Sequence, residues 1–385
     1  MPYADGRTYY DADSHLMELG DWLVRYADPD IRDRIRPLYL GAAGALAERA
    51  VREAAARRGD PTATRELEGR LMDAKGWAAL GAFDPEERSR ALDLLGVAKQ
   101  LVFSTFAVTQ FSGDDDDLLF GGTRAHKRAM AAFCAHDGRL IAVGAVPWGD
   151  PGRTVAEARE AIRLGCGALL VPSAPPRERS PFHPDYFPLW ALLEETGVPF
   201  MLHVGGGGRP LRRAFHANGL PPVTDFLGGG ENIRSKDFMA LSHTAELFLA
   251  CMAMDGLFER YPRLHGAAIE LGAVWVPPLL TRLDMVTRNF RKTEPQLNAM
   301  PLAPREYIHR QVWFTPFPGE PVGDLINACG DDLFLFSSDY PHPEGTRDPL
   351  GRFEATMEGV GEAARDRFYA GNFADLMRLD APVPA

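Results

Sequence analysis

Four acidic or imidazole side chains lie close together near the start of the chain, in the run YDADSHLME at residues 10–18: Asp11, Asp13, His15 and Glu18. The residues before them predict a strand, in which side chains two positions apart point to the same face. Asp11, Asp13 and His15 would then share one face, where they could bind a divalent cation. A D-x-H motif by itself leaves an alternative open, namely a turn or helix cap in which His15 pairs with Asp11.

The composition is that of an ordinary globular protein. The chain has 385 residues, of which 45% are hydrophobic and 25% charged, and this length fits one large α/β barrel with insertions or two medium domains. The formal net charge of −11 argues against a nucleic-acid partner. No apolar run reaches the roughly 18 residues of a membrane helix, and the N-terminus has no signal-peptide pattern. The four cysteines lack C-x-x-C spacing, which indicates a reducing compartment.

These features predict a cytoplasmic protein that acts on a small molecule and binds neither nucleic acid nor membrane. We also expect a homo-oligomer, in the simplest case a dimer.

Short, nearly continuous hydrophobic runs recur along the chain and predict parallel strands that are buried on both faces. Eight such runs lie at residues 7–15, 99–107, 139–147, 167–173, 198–205, 264–271, 310–317 and 332–340. Segments with helical periodicity separate them, and two of these, at 84–96 and 150–165, start with Asp-Pro, a favourable helix N-terminus. The alternation predicts a (β/α)8 barrel. A doubly wound open sheet is the alternative, although the first strand lacks the glycine-rich turn of a nucleotide-binding fold.

Two stretches fall outside this repeat. Residues 28–83 are rich in Ala, Arg and Glu and predict a helical insertion after the first strand, within a single domain that spans residues 1–385. Residues 206–235 are glycine-rich and predict a long loop after the fifth strand. Long loops in compact domains are uncommon and are often functional.

In a barrel of this kind, the functional side chains come from the C-terminal ends of the strands. His15 ends the first predicted strand and His203 ends the fifth, while Glu270 and Asp339 end the sixth and the eighth. Together with Asp13, these side chains would converge on one mouth of the barrel. The convergence strengthens the prediction of a metal site.

Three more side chains are candidates for substrate contacts. Arg209 and Arg212 follow the HVGGGG run on the same side of the barrel, and arginine binds carboxylates through two parallel hydrogen bonds. For any single arginine, a solvated loop position is the competing interpretation. His342 follows Asp339 closely at the end of the eighth predicted strand.

At these motifs the chain resembles the second amidohydrolase family, the aminocarboxymuconate-semialdehyde decarboxylase-like metal-dependent hydrolases and decarboxylases. The resemblance rests on DADSH, PFMLHVGGG, YPRLHGAAIELGAVWVPPLLTRLD and FSSDYPHPEG, and it spans nearly the whole chain except the 28–83 insertion. It implies a distorted (β/α)8 TIM barrel that binds one divalent metal ion, usually Zn²⁺ and sometimes Mn²⁺. It also implies that the metal ligands are Asp13, His15, His203 and Asp339.

Two positions depart from the family pattern. Asp13 stands where the first ligand is often histidine, and Glu270 stands where the family commonly has a histidine that acts as a catalytic acid or base. The unperturbed pKa of glutamate is about 4.3 against about 6.5 for histidine, so an ionised Glu270 is better suited to accept a proton from water than to protonate carbon. We therefore predict hydrolysis of a small carbonyl-containing substrate, carboxylate-bearing or aromatic, by metal-activated water. The predicted catalytic residues are Asp339, Glu270 and His203.

Other functions and roles stay open from the sequence. The main alternative is non-oxidative decarboxylation of a small aromatic or unsaturated acid, in which Asp339 or a metal-bound water would handle the proton. A non-catalytic binding protein on a barrel scaffold is a further alternative, although such a protein is expected to lose metal ligands that this chain retains. Glu270 could also be an additional ligand or a buried carboxylate that orients His15 or His203.

Overall fold

The structure is a computed structural model that describes residues 2–176, 179–207, 211–221 and 235–379. Its strands pair in parallel in the order β1, β3, β4, β5, β6, β7, β8, and β2 also pairs with β3. They are β1 (Tyr10–Asp11), β2 (His15–Leu16), β3 (Lys99–Ser104), β4 (Leu140–Ala145), β5 (Ala168–Leu170), β6 (Phe200–His203), β7 (Gly266–Ile269) and β8 (Val312–Phe314).

A segment at residues 333–340 closes the barrel between β8 and β2. Leu335 N donates to Phe314 O at 2.9 Å on one side, and His15 N donates to Tyr340 O at 2.7 Å on the other. The pairing there consists of isolated bridges, so the predicted eighth strand is an irregular segment. The fold is a distorted (β/α)8 barrel, which confirms the prediction of the fold class.

The first predicted strand is interrupted between β1 and β2. Ala12 packs in the barrel interior with Leu101, whereas the side chain of Asp11 accepts a hydrogen bond from Gln100 Nε2 at 2.8 Å. The expectation that Asp11 shares a face with Asp13 and His15 is therefore wrong. The physical reason is that the chain does not keep a regular two-residue alternation across the break.

Helices pack around the strands. In the first half of the chain they are α1 (Pro29–Arg32), α2 (Gly44–Arg57), α3 (Pro61–Glu68), α4 (Pro85–Leu95), α5 (Asp116–Cys134), α6 (Pro151–Arg163) and α7 (Phe187–Thr196). In the second half they are α8 (Ser235–Ala240), α9 (His243–Met254), α10 (Leu257–Arg260), α11 (Val276–Phe290), α12 (Pro295–Ala299), α13 (Pro304–Gln311), α14 (Val322–Cys329), α15 (Pro349–Glu354), α16 (Glu362–Asp366) and α17 (Asn372–Met377). Across the described ranges, no helix has both the length and the apolar composition that a membrane crossing requires.

The two Asp-Pro motifs begin helices as predicted. Asp84 accepts a hydrogen bond from Glu86 N at 3.0 Å at the start of α4, and Asp150 accepts one from Arg153 N at 2.8 Å at the start of α6. Gly96, with a φ of 76°, follows α4 in the left-handed conformation that commonly ends a helix.

The 28–83 insertion packs on the rim of the barrel. Ala47 and Ala50 of α2 belong to the same hydrophobic cluster as Leu92 of α4, and Arg57 forms an ion pair with Glu87 of α4 at 3.0 Å. Further along, Trp77 Nε1 donates to Glu18 O at 3.1 Å. The end of the insertion therefore lies over the C-terminal end of β2.

Candidate metal centre

Five polar side chains from strand ends meet at the C-terminal mouth of the barrel. Asp13 and His15 come from the break between β1 and β2 and from the start of β2, while His203 is the last residue of β6. Glu270 directly follows β7, and Asp339 belongs to the closing segment at 333–340. The structure thus brings together the side chains that the sequence analysis selected from four strand ends.

Their donor atoms lie close around His15 Nε2. That atom is 3.3 Å from Asp13 Oδ1, 3.5 Å from Glu270 Oε2 and 3.4 Å from Asp339 Oδ1. His203 Nε2 is 3.5 Å from Asp13 Oδ1 and 3.3 Å from Glu270 Oε2. Apart from Asp339, each of these residues offers one donor atom within 4.8 Å of the others. Glu270 therefore lies within this group of donor atoms, where the sequence analysis left open whether it is a ligand, a base or an orienting carboxylate.

The cluster is almost closed to solvent, which changes the pKa values of its members. Burial by itself would raise the pKa of Asp13, but His15 and His203 hold it below its usual range. Burial and the charge of Asp339 raise the pKa of Glu270 well above its usual value. Burial would lower the pKa of His15, yet Asp13 and Asp339 raise it. Three buried carboxylates are thus packed against two imidazoles, an arrangement that a divalent cation would stabilise.

The residues fit such a cation in two respects. Both ring nitrogens of His15 are buried and, within the described part of the chain, have no hydrogen-bond partner, which is rare for buried polar atoms. Neighbouring ligand atoms around a metal with bonds of about 2.1 Å lie roughly 3.0–3.4 Å apart. The spacings of 3.3–3.5 Å around His15 Nε2 are close to that range.

His342 lies against the cluster and contacts Asp339. Its ring stacks on that of His15, with centroids 3.9 Å apart. Its Nδ1 is 2.9 Å from Asp339 Oδ1, and its Nε2 is 3.0 Å from Thr105 Oγ1. The Thr105 hydroxyl can donate to Leu16 O at 2.9 Å, which leaves its oxygen free to accept from the ring Nε2–H. The other ring nitrogen, Nδ1, faces Asp339 Oδ1, and although burial opposes this, the charge of Asp339 helps to raise the pKa of His342.

The backbone at two of the acidic residues is in an unusual conformation. Glu270 and Asp339 have φ values of 54° and 50°, in the left-handed region that costs energy for residues other than glycine. Hydrogen bonds hold both in place, since Glu270 N donates to Thr315 Oγ1 at 2.9 Å and Asp339 N donates to Asp13 O at 2.9 Å. The left-handed backbone conformation thus occurs at two of the residues whose side chains enter the cluster.

Asp11 lies beneath the cluster and holds strand ends together. Its carboxylate accepts hydrogen bonds from Ser338 N at 2.8 Å and Ser338 Oγ at 2.6 Å, from Gln100 Nε2 at 2.8 Å and from Asp13 N at 3.2 Å. Burial raises its pKa to about 6. Asp11 therefore fixes the backbone that precedes Asp339 and the backbone of Asp13.

Glu18, like Asp11, binds backbone groups beside the cluster. Its buried carboxylate accepts hydrogen bonds from the backbone N–H groups of Thr105, Phe106 and Ala107 at 2.9–3.1 Å. Of the four polar residues in the opening motif, Asp13 and His15 enter the cluster, while Asp11 and Glu18 shape the backbone around it.

The two predicted arginine contacts stay predictions. Arg212 is exposed, and Arg209 lies outside the described residues. Thr105, which the sequence analysis missed, follows β3 in FSTFA, where no motif distinguishes it from an ordinary strand end.

The fold and the site define a class of protein. The sequence profile of the amidohydrolase family matches residues 10–379. The chain therefore belongs to the second amidohydrolase family and is an enzyme of the amidohydrolase superfamily, which confirms the resemblance seen in its motifs.

One protein of known activity and two solved structures are similar to this chain over most of its length. The chain is similar to the gamma-resorcylate decarboxylase of Rhizobium sp. (strain MTP-10005), with 26% identity over 326 residues that cover 82% of this chain and 90% of that protein. Among solved structures, an amidohydrolase from Mycobacterium avium subsp. paratuberculosis K-10 is 22% identical, covers 97% of this chain and 100% of its own, and has a TM-score of 0.74. A dihydroxybenzoic acid decarboxylase from Polaromonas sp. JS666, solved with bound manganese and 2-nitroresorcinol, is 18% identical, with 98% of each chain covered and a TM-score of 0.63.

Proposed function

We propose that this protein is a metal-dependent, non-oxidative decarboxylase of a small aromatic carboxylic acid. The structural observation that carries the proposal is the distance of 2.9 Å between His342 Nδ1 and Asp339 Oδ1 beside the cluster, because decarboxylation needs groups that deliver a proton to the carbon that loses CO₂. The similarity to a gamma-resorcylate decarboxylase over most of both chains supports the same reaction.

The position of Glu270 also favours decarboxylation over hydrolysis. The prediction of hydrolysis required an ionised Glu270 that is free to take a proton from water. Glu270 Oε2 instead lies 3.3 Å from His203 Nε2 and 3.5 Å from His15 Nε2, which makes it a member of the cluster. We therefore prefer decarboxylation and keep hydrolysis as the second candidate.

The proposed metal site consists of two imidazoles and three carboxylates, from Asp13, His15, His203, Glu270 and Asp339. When bound, the ion supplies positive charge that binds and orients the oxygen atoms of the acid. An oxygen-rich donor set suits Mn²⁺ as well as the Zn²⁺ that we expected from the sequence, and the Polaromonas decarboxylase contains manganese. We therefore propose Mn²⁺ as the resident ion.

The chain's own residues handle the proton. In the proposed step, Asp339 relays a proton from His342 to the ring carbon that carries the carboxylate. The bond between that carbon and the carboxylate then breaks, its electron pair restores the aromatic ring, and CO₂ leaves. His342, held by Thr105, passes the next proton to Asp339. The near closure of the cluster to solvent excludes bulk water from the reacting carbon.

The test is to incubate the Mn²⁺-loaded protein with 2-hydroxybenzoate and with the isomeric dihydroxybenzoates in D₂O. We expect stoichiometric CO₂ release from one or more acids and deuterium at the ring position that the carboxylate left. The matched control is Asp339→Asn, which should release CO₂ at least about a hundredfold more slowly. Turnover of esters, lactones or cyclic amides without any CO₂ release, and with ¹⁸O from labelled water in the product carboxylate, would instead establish hydrolysis.

A further inference from the structure

Lys75, in the 28–83 insertion, carries a buried amine without a hydrogen-bond partner. Its Nζ is shielded from solvent and finds no acceptor in the described part of the chain. The ring centroid of Tyr340 is 6.0 Å away, at the outer limit of a cation–π contact. The ring does not provide a conventional hydrogen-bond acceptor for the three N–H donors of the amine. An ammonium group in such a place lowers the stability of the protein unless an acceptor binds to it.

The backbone around Lys75 is fixed at the rim of the metal site. The neighbouring Gly76 N donates to Pro341 O at 2.8 Å, directly after the closing segment. Trp77 stacks on Phe106 with centroids 5.5 Å apart and an angle of 4° between the rings. These contacts join the end of the insertion to the ends of β3 and of the closing segment, so the backbone around Lys75 is held beside the barrel mouth.

Asp339 of the cluster is one of the charges that act on Lys75. Burial lowers its pKa, and the negative charges of Asp339 and Glu344 partly oppose that effect. The nearby Arg88 is a contrasting case: it is fully buried on the ring of Tyr340 at 5.2 Å, but it donates hydrogen bonds to His15 O and to Gln100 Oε1. Arg88 thus has structural partners, whereas the amine of Lys75 has a neighbouring charge at the active site and no acceptor.

We propose that Lys75 binds the carboxylate of the substrate, so that the insertion supplies the cation that selects acids. The inference rests on the proposed function, in which the substrate is an aromatic acid. A carboxylate oxygen would accept charge-assisted hydrogen bonds from the amine. This contact is lost as neutral CO₂ forms, so it strengthens binding of the acid and does not lower the barrier of the reaction.

Two binding measurements on the Mn²⁺-loaded protein test the proposal, with benzoate and with its neutral analogue benzamide. Wild-type protein should bind benzoate measurably, and Lys75→Met should weaken that binding by roughly ten- to a hundredfold while leaving benzamide unaffected. Lys75→Arg, which keeps the charge, should restore benzoate binding. Lys292→Met, at an exposed lysine after α11, is the matched control and should change neither ligand.

The unfolding temperature supplies a second readout. Because Lys75→Met replaces an unpaired amine by an apolar chain of similar length, the variant should be at least as stable as the wild type. Unchanged benzoate binding in Lys75→Met, equal weakening of both ligands, failure of the wild type to bind benzoate, or a variant that does not fold would each overturn the inference. Neither measurement needs turnover, so a protein that binds benzoate through Lys75 but releases no CO₂ would refute the decarboxylase proposal alone.

Discussion

Ser338 donates two hydrogen bonds to the carboxylate of Asp11, from its N at 2.8 Å and from its Oγ at 2.6 Å. The two residues are 327 positions apart in the chain, and each is followed closely by an acidic residue of the cluster, Asp13 or Asp339. Asp11 thus connects the first and last segments of the barrel directly below the candidate metal centre.

Removal of this carboxylate should destabilise the protein. Asp11→Ala leaves the N–H of Ser338 and the amide of Gln100 without acceptors, and we expect the free energy of unfolding to fall by about 2–4 kcal/mol. Ser338→Ala, the matched control, removes only the hydroxyl and should cost about 1 kcal/mol. Urea denaturation of both variants measures the difference. Equal effects would show that Asp11 does not hold the two segments together.

Variants of Asp339 and Glu270 should show that the first residue serves mainly proton transfer and the second mainly metal binding. Asp339→Asn keeps an oxygen and tolerates the left-handed φ, so we expect it to retain metal and to lose at least about a hundredfold in kcat. Glu270→Gln removes a charge from the centre of the cluster and should reduce the metal affinity. Metal analysis and steady-state kinetics of the two variants check this. An Asp339→Asn variant with normal kcat would exclude Asp339 as the proton donor.

His126 should make the stability of the protein depend on pH. Its Nδ1 accepts from Ala145 N at 3.4 Å and its Nε2 is 2.8 Å from Ser104 Oγ, while burial and the charge of Lys127 lower its pKa to about 3. The unfolded chain binds this proton near pH 6.5, so its contribution to stability is complete above that pH and is lost as the pH falls toward 3.

The matching variant is His126→Gln, which cannot take up the proton. Below pH 6 the wild type should lose stability by about 1.4 kcal/mol per pH unit more steeply than the variant. Denaturant unfolding between pH 7.5 and 5 measures both slopes. Parallel slopes would mean that His126 is protonated in the folded protein.

The 28–83 insertion should not fold by itself. Two buried alanines of α2 pack in a cluster shared with α4, and the ion pair of Arg90 with Glu68, at 2.7 Å, also ties the insertion to α4. An isolated peptide of residues 28–83 would lose these contacts and should show little cooperative unfolding by circular dichroism. A stable, protease-resistant peptide would show that the insertion is an independent domain.

Much of the barrel could be predicted because buried parallel strands appear as continuous hydrophobic runs that end at polar residues. This pattern marked His203 and Glu270 at the ends of β6 and β7. The break between β1 and β2 could not be found in this way, since Asp11 and Asp13 have the same spacing in a regular strand as in an interrupted one. Only the partners of Asp11, distant in sequence, distinguish the two.

The sequence analysis named His342 as a candidate substrate contact, but its pairing with Thr105 and the buried amine of Lys75 were beyond sequence reasoning for the same physical reason. Thr105 and His342 are 237 positions apart, and neither FSTFA nor the DAKGW run around Lys75 has a spacing that indicates chemistry. Thr105 and Lys75 become relevant through loop packing, which brings each of them beside the ends of other strands. Glu270 was identified from its strand end, but its closeness to both imidazoles depended on the left-handed turn that follows β7.

The metal content of the purified protein tests the proposed centre most directly. Elemental analysis should find close to one equivalent of a divalent ion in the wild type and almost none in His203→Ala, which removes a donor atom from the middle of the cluster. His183→Ala, at an exposed histidine, should retain full occupancy. Full occupancy in His203→Ala as well, or a wild-type protein that stays metal-free in the presence of Mn²⁺ and Zn²⁺, would contradict the assignment of this cluster as a metal centre.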